Sequence, residues 1–445
     1  MLKTLKNKLL GLFIKKPKTT VKHPIHKDKT HTHTASKPKP KLPHPSSNPK
    51  SLPILKLAPE LEGSVRFSDF KLDERILVGL QSAKFEYCTP VQKETIPHLL
   101  VGKDVSVKAQ TGTGKTAVFL ISIFEYLLNT PLKFKTPGFC RVLIIAPTRE
   151  LAMQIFNDAQ KLGKYCNFNN QVVYGGMDYK KQLANLNKHI DILIGTPGRL
   201  LDYAGKKALN LSKTEIFVID EADRMLDMGF IPDVTKIERS MPPATRRHTM
   251  LFSATLTNDV RYLIQKWQKD PVTIELEPET SVPAPIEQLF YSVVGDRKTS
   301  FLLWLLEKYQ MEKTLIFVNT KDQTFRLKKS LEKYHYASET LSSDIVQQKR
   351  IKTLDDFKSG KLPIIIATDV ASRGIHVDDV SHVINYDIPE RSEDYIHRIG
   401  RTGRAGKKGV SISFVCEYGS YSIPEIEKVL GYEIKSVQPE ANMYK

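Results

Sequence analysis

The sequence predicts an α/β protein with two tandem domains, each built on a parallel sheet flanked by helices, behind a disordered basic N-terminal tail. Three observations lead to this prediction. Apolar runs of strand length alternate with amphipathic helical patterns from Phe67 onward. An acidic, proline-rich stretch at 273–288 interrupts the alternation and is typical of a linker. Lysine, proline and histidine dominate residues 15–56, and such a composition cannot bury enough apolar surface to offset the entropy of ordering.

The apolar runs have the character of buried parallel strands, because each one ends in a polar loop with chemically capable side chains. In parallel sheets the functional groups stand beyond the carboxyl ends of the strands. The runs occupy 142–148, 191–197, 215–223 and 248–255 in the first domain, and 314–320, 363–369, 382–387 and 410–415 in the second. The predicted boundaries are 1–62 for the tail, 63–275 and 287–434 for the two domains, 276–286 for the linker and 435–445 for a short second tail.

The net charge of +18 predicts polyanionic partners, but its distribution weakens that prediction for the two domains. Residues 1–59 contain fourteen lysines and a single acidic residue, Asp28. Most of the excess positive charge therefore belongs to the tail, and only specific motifs can indicate what the domains bind.

Neither a membrane-spanning helix nor a disulfide framework is predicted. The sequence has no run of about 18 apolar residues. Within residues 1–14 leucines recur at helical spacing between lysines, which predicts either a short helix that docks weakly on a membrane surface or partner, or a helix that frays. The four cysteines lie far apart without a C-x-x-C pair, which favours a reducing compartment, so the predicted location is the cytoplasm.

The segment AQTGTGKT at 109–116 predicts a phosphate-binding loop between a strand and a helix. Its glycines would let backbone N–H groups surround phosphate oxygens, Lys115 would reach the terminal phosphates, and the Thr116 hydroxyl would ligate Mg²⁺. The strict pattern has glycine where Ala109 stands, and a chance glycine turn is the alternative. The predicted nucleotide-binding residues of this loop are Ala109, Gln110, Thr111, Gly112, Thr113, Gly114, Lys115 and Thr116.

Acidic and basic side chains complete a predicted site for phosphoryl transfer. Asp220 and Glu221 end an apolar run, where Asp220 would hold the Mg²⁺ shell, partly through water, and Glu221 would orient or activate the attacking water. An ordinary pair of helix-capping carboxylates is the alternative. Arg401 and Arg404 lie in a glycine-rich segment of the second domain and would stabilise the transferred phosphate as arginine fingers. A basic loop that faces nucleic acid is the alternative there.

These segments, in this order, resemble the motifs of the DEAD-box helicases of superfamily 2. The literal DEAD occupies 220–223. Around it stand PTREL (147–151), a glycine pair (175–176), TPGR (196–199), SAT (253–255), IFVNT (316–320), ATDVASRGI (367–375) and HRIGRTGR (397–404). Each motif is weak alone, but their shared order over 67–416 is specific. The resemblance implies two RecA-like domains and an RNA-stimulated ATPase that uses ATP and Mg²⁺.

By the same resemblance, KFEYCTPVQ at 84–92 is similar to the family's Q motif. Gln92 would then read the adenine edge, and Phe67 would help to enclose the base. A buried glutamine that caps a helix is an alternative explanation of Gln92. Lys84 stands where the family usually has glycine, a change that we regard as tolerated.

The resemblance also assigns the coupling of hydrolysis to RNA engagement to Ser253 and Thr255. It implies contacts with the RNA backbone that do not depend on base sequence, and small residues would let phosphates approach closely. The residues concerned are Thr148, Arg149, Gly175, Gly176, Thr196, Gly198 and Arg199 in the first domain, and Asn319, Gln347, Arg350, Thr368 and Arg373 in the second.

Two departures from the family pattern narrow the resemblance. His376 stands where the family usually has an aspartate that contacts the ATP ribose, and LSSD (341–344) replaces the usual LHGD. The second departure, together with MPPA (241–244) and the ending 416–434, is similar to the bacterial RhlB-type helicases. That subgroup typically works in RNA turnover and can associate with an endoribonuclease in an RNA degradosome, so the resemblance implies a partner of that class.

The sequence therefore predicts an ATP-dependent RNA helicase that binds the RNA backbone and locally unwinds short duplexes. Two alternatives would use the same motifs, namely an ATP-gated RNA clamp or assembly scaffold with little unwinding, and a DNA helicase. An inactive ATPase kept only for binding conflicts with the presence of Lys115, Glu221 and Arg404.

Overall fold

The computed structural model of the chain describes residues 52–109, 112–132, 136–276, 286–309, 311–342, 344–372, 380–403 and 408–444. These residues form two α/β lobes, each with its own sheet. The helix predicted within residues 1–14 and most of the predicted basic tail lie outside them. No helix among the described residues is long and apolar enough to cross a membrane.

Lobe 1 contains a seven-stranded sheet in which every pairing is parallel. Its strands are β1 (Val105–Lys108), β2 (Cys140–Ile145), β3 (Asn170–Val173), β4 (Ile190–Gly195), β5 (Ile216–Ile219), β6 (His248–Ser253) and β7 (Val272–Glu275). Its helices are α1 (Glu74–Ser82), α2 (Pro90–Leu100), α3 (Lys115–Asn129), α4 (Arg149–Leu162), α5 (Tyr179–Leu186), α6 (Pro197–Gly205), α7 (Ala222–Asp227), α8 (Ile231–Arg239) and α9 (Asn258–Trp267). The strand order is β3-β4-β2-β5-β6-β1-β7.

Lobe 2 contains a six-stranded parallel sheet. Its strands are β8 (Ile286–Ser292), β9 (Thr314–Phe317), β10 (Ser338–Leu341), β11 (Ile364–Ala367), β12 (His382–Asn385) and β13 (Gly409–Val415). Its helices are α10 (Lys298–Tyr309), α11 (Lys321–Lys333), α12 (Gln347–Lys358), α13 (Asp369–Ser372), α14 (Ser392–Ile399) and α15 (Ile423–Leu430). The order β10-β11-β9-β12-β13-β8 repeats the first six positions of the lobe 1 sheet, so the two lobes share one topology.

The eight apolar runs all form strands, which confirms the predicted pair of parallel sheets. Strands β2 and β4 are buried at all six of their positions, because helices cover both faces of the sheet. The polar residues that follow each run stand at the carboxyl edges of the sheets. Since those edges carry the functional loops in parallel sheets, the candidate site begins there.

The acidic stretch at 273–288 has the composition of a linker, and the predicted linker itself spans 276–286. The first three residues of the stretch lie in β7 and its last three in β8. Side chains along β7 alternate between half-buried and exposed, because β7 is an edge strand with one solvated face. An edge strand of this kind carries charged residues, so its composition resembles that of a linker.

Parts of the two predicted tails pack on the lobes. In the first, Tyr87 Oη donates to Pro59 O at 2.9 Å, and Lys56 N donates to Gln81 Oε1 at 3.1 Å. In the second, Val437 exchanges two backbone hydrogen bonds of 2.9 Å with the edge strand β8. The Tyr444 ring also lies 5.9 Å from that of Phe301. Residues 435–444 therefore extend the packed part of lobe 2.

Candidate active site and nucleic-acid interface

Lobe 1 places the predicted phosphate-binding loop between β1 and α3. Lys115 is the first residue of α3, and its Nζ donates to Ala109 O at 2.6 Å. Gly112 and Gly114 have φ angles of 89° and 96°, in the left-handed region that favours glycine. A Cβ on Gly114 would lie 2.4 Å from Gln92 Nε2, so a side chain does not fit there. Gln110 and Thr111 lie outside the described residues.

Gln92 caps a helix and also fastens this loop. Its Oε1 accepts from Thr89 N at 2.8 Å at the start of α2, and its Nε2 donates to Gly114 O at 3.2 Å. Thr89 Oγ1 donates to Thr113 O at 2.8 Å, which adds a second link between the two segments. The capping explanation is therefore met. Each end of the amide keeps one further hydrogen-bonding position, so adenine recognition by Gln92 stays a prediction that the geometry permits.

The aromatic side chain on the wall of the nucleotide pocket is Phe85, which sequence reasoning missed. Phe67 is 2% exposed in the core of lobe 1, and its ring centroid lies 6.2 Å from that of Phe85. The pocket has a volume of about 210 Å³. Its lining includes Phe85, Gly112, Gly114, Lys115, Thr116, Asp220 and Glu221. Phe67 therefore supports Phe85, and a direct contact between Phe67 and the base stays a prediction.

Lys84 has a φ of 63°, which explains why glycine would suit this position. An L-residue in the left-handed region is strained by about 1–2 kcal/mol, and glycine is not. Glycine loses more conformational entropy on folding, which offsets part of that advantage. We expect Lys84→Gly to raise the free energy of unfolding by about 0.5–1 kcal/mol, measured by urea denaturation. Lys207→Gly, at a φ of 58° outside the pocket lining, should show a similar gain. A loss of stability in Lys84→Gly would contradict the argument.

Asp220 follows β5 and faces the phosphate-binding loop. Burial raises the pKa of Asp220 to about 7, and the positive charge of Lys115 opposes that rise. The Oδ1 atom accepts from Glu221 N at 3.0 Å, and none of the residues that the structure describes donates a hydrogen bond to Oδ2. A buried carboxylate is stabilised by a cation beside it, and carboxylate and hydroxyl oxygens are ligands that Mg²⁺ prefers. Asp220 and Thr116 therefore fit the Mg²⁺ that the sequence predicts.

Glu221 stands at the start of α7 in a strained backbone conformation. Its φ is 55°, although it is not glycine. Its carboxylate accepts from Arg224 Nη1 at 2.9 Å, and both side chains are buried. Residues held in such conformations cluster at functional sites, because only the surrounding structure keeps them there. Glu221 lines the nucleotide pocket, and its side chain makes no capping hydrogen bond to α7.

Asp223 connects the DEAD segment to the SAT segment, a role that sequence reasoning missed. Its Oδ2 accepts from Ala254 N at 3.0 Å and from Thr255 N at 3.1 Å. The Thr255 hydroxyl lies 3.4 Å from the same oxygen, and Asp223 N donates to Ser253 Oγ at 3.2 Å. The predicted coupling residues Ser253 and Thr255 are thus attached directly to the hydrolytic segment.

The HRIGR segment of lobe 2 faces the DEAD segment of lobe 1. Burial, and then the positive charges of Arg224 and Arg401, lower the pKa of His397, and the carboxylates of Asp394 and Asp223 oppose this. Arg401 is buried beyond the end of α14.

Arg391 Nη2, at the start of α14, donates to Asp227 Oδ1 of lobe 1 at 3.2 Å, so this helix begins at the junction of the lobes. His397 lies on the same helix, near the predicted finger Arg401. Arg404 lies outside the described residues.

Arg398 organises the carboxyl edge of the lobe 2 sheet. Its guanidinium binds both oxygens of Asp369 at 2.6 Å and donates to Asn319 Oδ1 at 2.9 Å. Asn319 Nδ2 donates to Ile388 O at 2.9 Å, so both ends of that amide are engaged inside lobe 2. Asn319 therefore helps to hold this edge, and each end of its amide keeps one further hydrogen-bonding position, so its RNA contact stays a prediction.

A cleft of about 550 Å³ brings together most of the predicted RNA-binding residues from both lobes. Its lining includes Thr148, Arg149, Gly175, Thr196, Gly198, Arg199, Gln347 and Arg350. Gly176, with a φ of 84°, lies beside it, since a Cβ there would be 2.6 Å from Arg149 Nη1. Thr368 is buried near the start of α13 and does not line the cleft. Arg373 and His376 lie outside the described residues.

Side chains of the cleft also join the lobes. Arg149 Nη1 donates to Gln347 Oε1 at 3.1 Å, and Gln347 Nε2 donates to Glu150 Oε1 at 3.2 Å. The same Glu150 oxygen pairs with Arg350, whose guanidinium also donates to Ala371 O. The segment PTREL of lobe 1 is therefore held against the first turn of α12 in lobe 2.

Lobe 2 uses its copy of the nucleotide frame for a buried ion pair. Lys298 begins α10 after β8, as Lys115 begins α3 after β1, and each lysine precedes a threonine. Lys298 Nζ lies 2.8 Å from Asp387 Oδ1, and Asp387 follows β12 as Asp220 follows β5. Gly295 occupies the position of Gly112, but Arg297 stands where lobe 1 has Gly114, and lobe 2 forms a 3-10 helix there. The glycine loop of lobe 1 therefore marks the nucleotide pocket.

Comparison with known proteins agrees with this geometry. The DEAD/DEAH box helicase family matches residues 89–263, and the helicase conserved C-terminal domain matches residues 297–406. An ATP-dependent RNA helicase RhlB of Pseudomonas putida is 48% identical over 386 residues, which cover 86% of this chain and 97% of that protein.

Two solved structures share the two-lobed arrangement. Dbp5 of S. cerevisiae bound to RNA and ADP BeF3 matches with a TM-score of 0.73 at 32% identity. The match covers 84% of this chain and 95% of the Dbp5 chain. Mss116p bound to single-stranded RNA and AMP-PNP has a TM-score of 0.75 at 29% identity, covering 88% of this chain and 83% of its own. The chain therefore belongs to the DEAD-box family of ATP-dependent RNA helicases.

Proposed function

We propose that this enzyme clamps RNA between its lobes and locally unwinds short duplexes as it hydrolyses Mg²⁺-bound ATP. The observation that carries the proposal is the cleft lined by Arg149 and Arg199 of lobe 1 and Arg350 of lobe 2. Arginines pair bidentately with phosphates, so a cleft of this kind suits an RNA backbone and not a particular base sequence. The Asp223 contacts connect the SAT segment to the DEAD segment, whose first two residues line the nucleotide pocket.

Each step uses residues with defined positions. Lys115 would exchange Ala109 O for the terminal phosphates, and Glu221 would orient the attacking water. Arg401, with Arg404, would neutralise charge on the transferred phosphate once RNA and ATP hold the lobes together. Mg²⁺, held by Thr116 and Asp220, would supply positive charge at the phosphates. Release of phosphate would then let the lobes separate from RNA.

The experiment that tests this function measures ATP hydrolysis and strand separation together. We expect steady-state ATPase activity to rise with single-stranded RNA, and to rise less with a matched single-stranded DNA. A short RNA duplex with excess trap strand should be separated only in the presence of ATP. RNA-stimulated hydrolysis without strand separation would identify an ATP-gated clamp instead, and equal stimulation by DNA would contradict the RNA preference.

Gly198 offers a direct test of the cleft. It lies in the first turn of α6, and a Cβ there would meet no atom within 4 Å. Gly198→Glu should therefore fold, while its carboxylate in the cleft should repel RNA and raise the Kd at least about tenfold. Gly205→Glu, at the other end of α6 and equally open, should leave RNA affinity unchanged. RNA affinity is measured by fluorescence anisotropy, and equal Kd values for the two variants would contradict the assignment.

The lysine-rich tail should add RNA affinity that depends on salt. Removing residues 1–51 keeps the segment that packs near Tyr87 and deletes thirteen lysines. We expect weaker RNA binding and a loss of about two from the slope of log Kd against log salt between about 50 and 200 mM, as for three neutralised phosphates. An unchanged slope would exclude the tail from RNA binding.

We also propose that this enzyme works in RNA turnover in the cytoplasm, through association with an endoribonuclease of the degradosome type. The similarity to an RhlB helicase over 86% of the chain supports this role. Weak surface association through residues 1–14 belongs to the same proposal. Co-purification of an endoribonuclease with the full chain, and its loss on dilution of the complex in high salt, would be the expected result. Recovery of the chain without any ribonuclease would count against it.

A further inference from the structure

Arg199 of the TPGR segment lies on a platform of two tyrosine rings. Its guanidinium carbon is 5.3 Å from the centroid of Tyr179 and 5.5 Å from that of Tyr203. Both distances are within the range of a cation–π contact. The two rings are themselves packed with centroids 5.0 Å apart. Arg199 Nη1 also donates to Tyr203 Oη at 3.2 Å. This hydrogen bond fixes the orientation of the guanidinium, in addition to its position over the rings.

The platform follows from the spacing of residues along α6. Arg199, Asp202, Tyr203 and Lys206 recur at intervals that place them on one face of the helix. Tyr203 is fully buried and anchors this face, and its hydroxyl donates to Tyr179 O at 3.3 Å at the start of α5. Tyr179 is half-buried and is the first residue of α5. A second helix therefore forms one side of the platform.

A second cation shares the Tyr179 ring. Lys206 Nζ lies 4.5 Å from the ring centroid and 2.8 Å from Asp202 Oδ1. Asp202 thus neutralises Lys206, and its side chain lies with Arg199 on the wall of the cleft. Arg199 and Lys206 therefore both lie beside the Tyr179 ring, and the Asp202 carboxylate holds Lys206 in place.

We propose that Tyr179 and Tyr203 are positioning residues that hold Arg199 ready for an RNA phosphate. This inference rests on the proposed function of the cleft. A free arginine side chain must lose its rotamer freedom on binding, whereas one already fixed on a ring loses less. The platform occupies one face and one nitrogen of the guanidinium and leaves its remaining N–H groups for the phosphate. Tyr179 acts through Arg199 and needs no contact with RNA.

The test is a double-mutant cycle on RNA affinity, with the full chain in each case. Tyr179→Leu should raise the Kd for single-stranded RNA about threefold to tenfold, and Tyr179→Phe should retain wild-type affinity because it keeps the ring. In an Arg199→Ala background, Tyr179→Leu should change the Kd by less than about twofold, since its effect passes through Arg199. Arg199→Ala alone should lower the salt slope by about 0.7, the value for one phosphate on a single strand.

Controls separate this inference from a loss of folding and from the proposed function. Tyr262→Leu removes an exposed tyrosine that lies under Lys266, away from the cleft lining, and should bind RNA normally. An equal loss of affinity from Tyr179→Leu in both backgrounds would overturn the positioning role and leave a merely structural one. No effect of Arg199→Ala would also overturn it. If Gly198→Glu were then silent as well, the cleft itself would be wrongly assigned.

Discussion

Glu221→Gln should lower RNA-stimulated ATP hydrolysis at least about a hundredfold, which is the usual contribution of a positioned general base. The amide cannot accept a proton from the attacking water, although it keeps the size of the side chain. ATP and RNA should still bind, because Lys115 and the cleft arginines are unchanged. Initial ATPase rates with saturating single-stranded RNA measure the loss, and the Kd for a fluorescent ATP analogue shows that binding persists.

The buried partner of Glu221 decides how this variant is interpreted. Arg224 is paired with Glu221 at 2.9 Å, and both side chains are only 6% exposed. A weaker bond to the neutral amide costs about 1–3 kcal/mol of stability, so folding must be checked by urea denaturation. Glu94→Gln makes the same chemical change at an exposed site of lobe 1 and should hydrolyse ATP normally. A Glu221→Gln enzyme that is folded yet retains a third of the wild-type rate would exclude Glu221 as the catalytic group.

The sequence predicts the parts of this site that follow from local backbone requirements. The glycines before Lys115 predict a loop with left-handed backbone conformations. The apolar run before Asp220 predicts a buried strand that ends in a carboxylate. Both features depend on a few adjacent residues. The eight strands could be predicted for a similar reason, because a strand buried on both faces is apolar at nearly every position.

Contacts between distant segments could not be predicted in this way. Glu150 and Arg350 meet across 200 residues, and nothing near either residue specifies the other. Phe85 reaches the nucleotide pocket because the core fixes Phe67 behind it.

The edge strand β7 has the composition of a linker because its solvated face carries charge. The segment 435–444 is held on lobe 2 by backbone hydrogen bonds between Val437 and β8 and by contacts of the Tyr444 ring. These features depend on packing between elements and leave no periodic trace in the sequence.

Asp223→Asn should uncouple strand separation from ATP hydrolysis. The Oδ2 atom accepts two backbone N–H groups of the SAT segment, and bonds to a charged acceptor contribute about 1.5–3 kcal/mol each. The neutral amide weakens both bonds and can also turn its NH₂ group toward the two donors. We expect RNA unwinding to fall about tenfold to a hundredfold, with ATP affinity within about twofold of the wild type. The ratio of duplex separated to ATP hydrolysed is the decisive measurement.

The uncoupling has a distinct signature because two segments meet at one carboxylate. Ser253→Ala removes the bond from Asp223 N, and Thr255→Val removes only the hydroxyl contact, so each should lower the ratio less than Asp223→Asn does. Combining Thr255→Val with Asp223→Asn should add little, since both act on the same oxygen. Asp233→Asn, at a surface carboxylate paired with Lys236 on α8, should leave the ratio unchanged. If unwinding and hydrolysis fell in strict proportion in Asp223→Asn, Asp223 would serve hydrolysis itself, and the link from the nucleotide to the RNA would have to pass through Arg401 and His397 at the junction of the lobes.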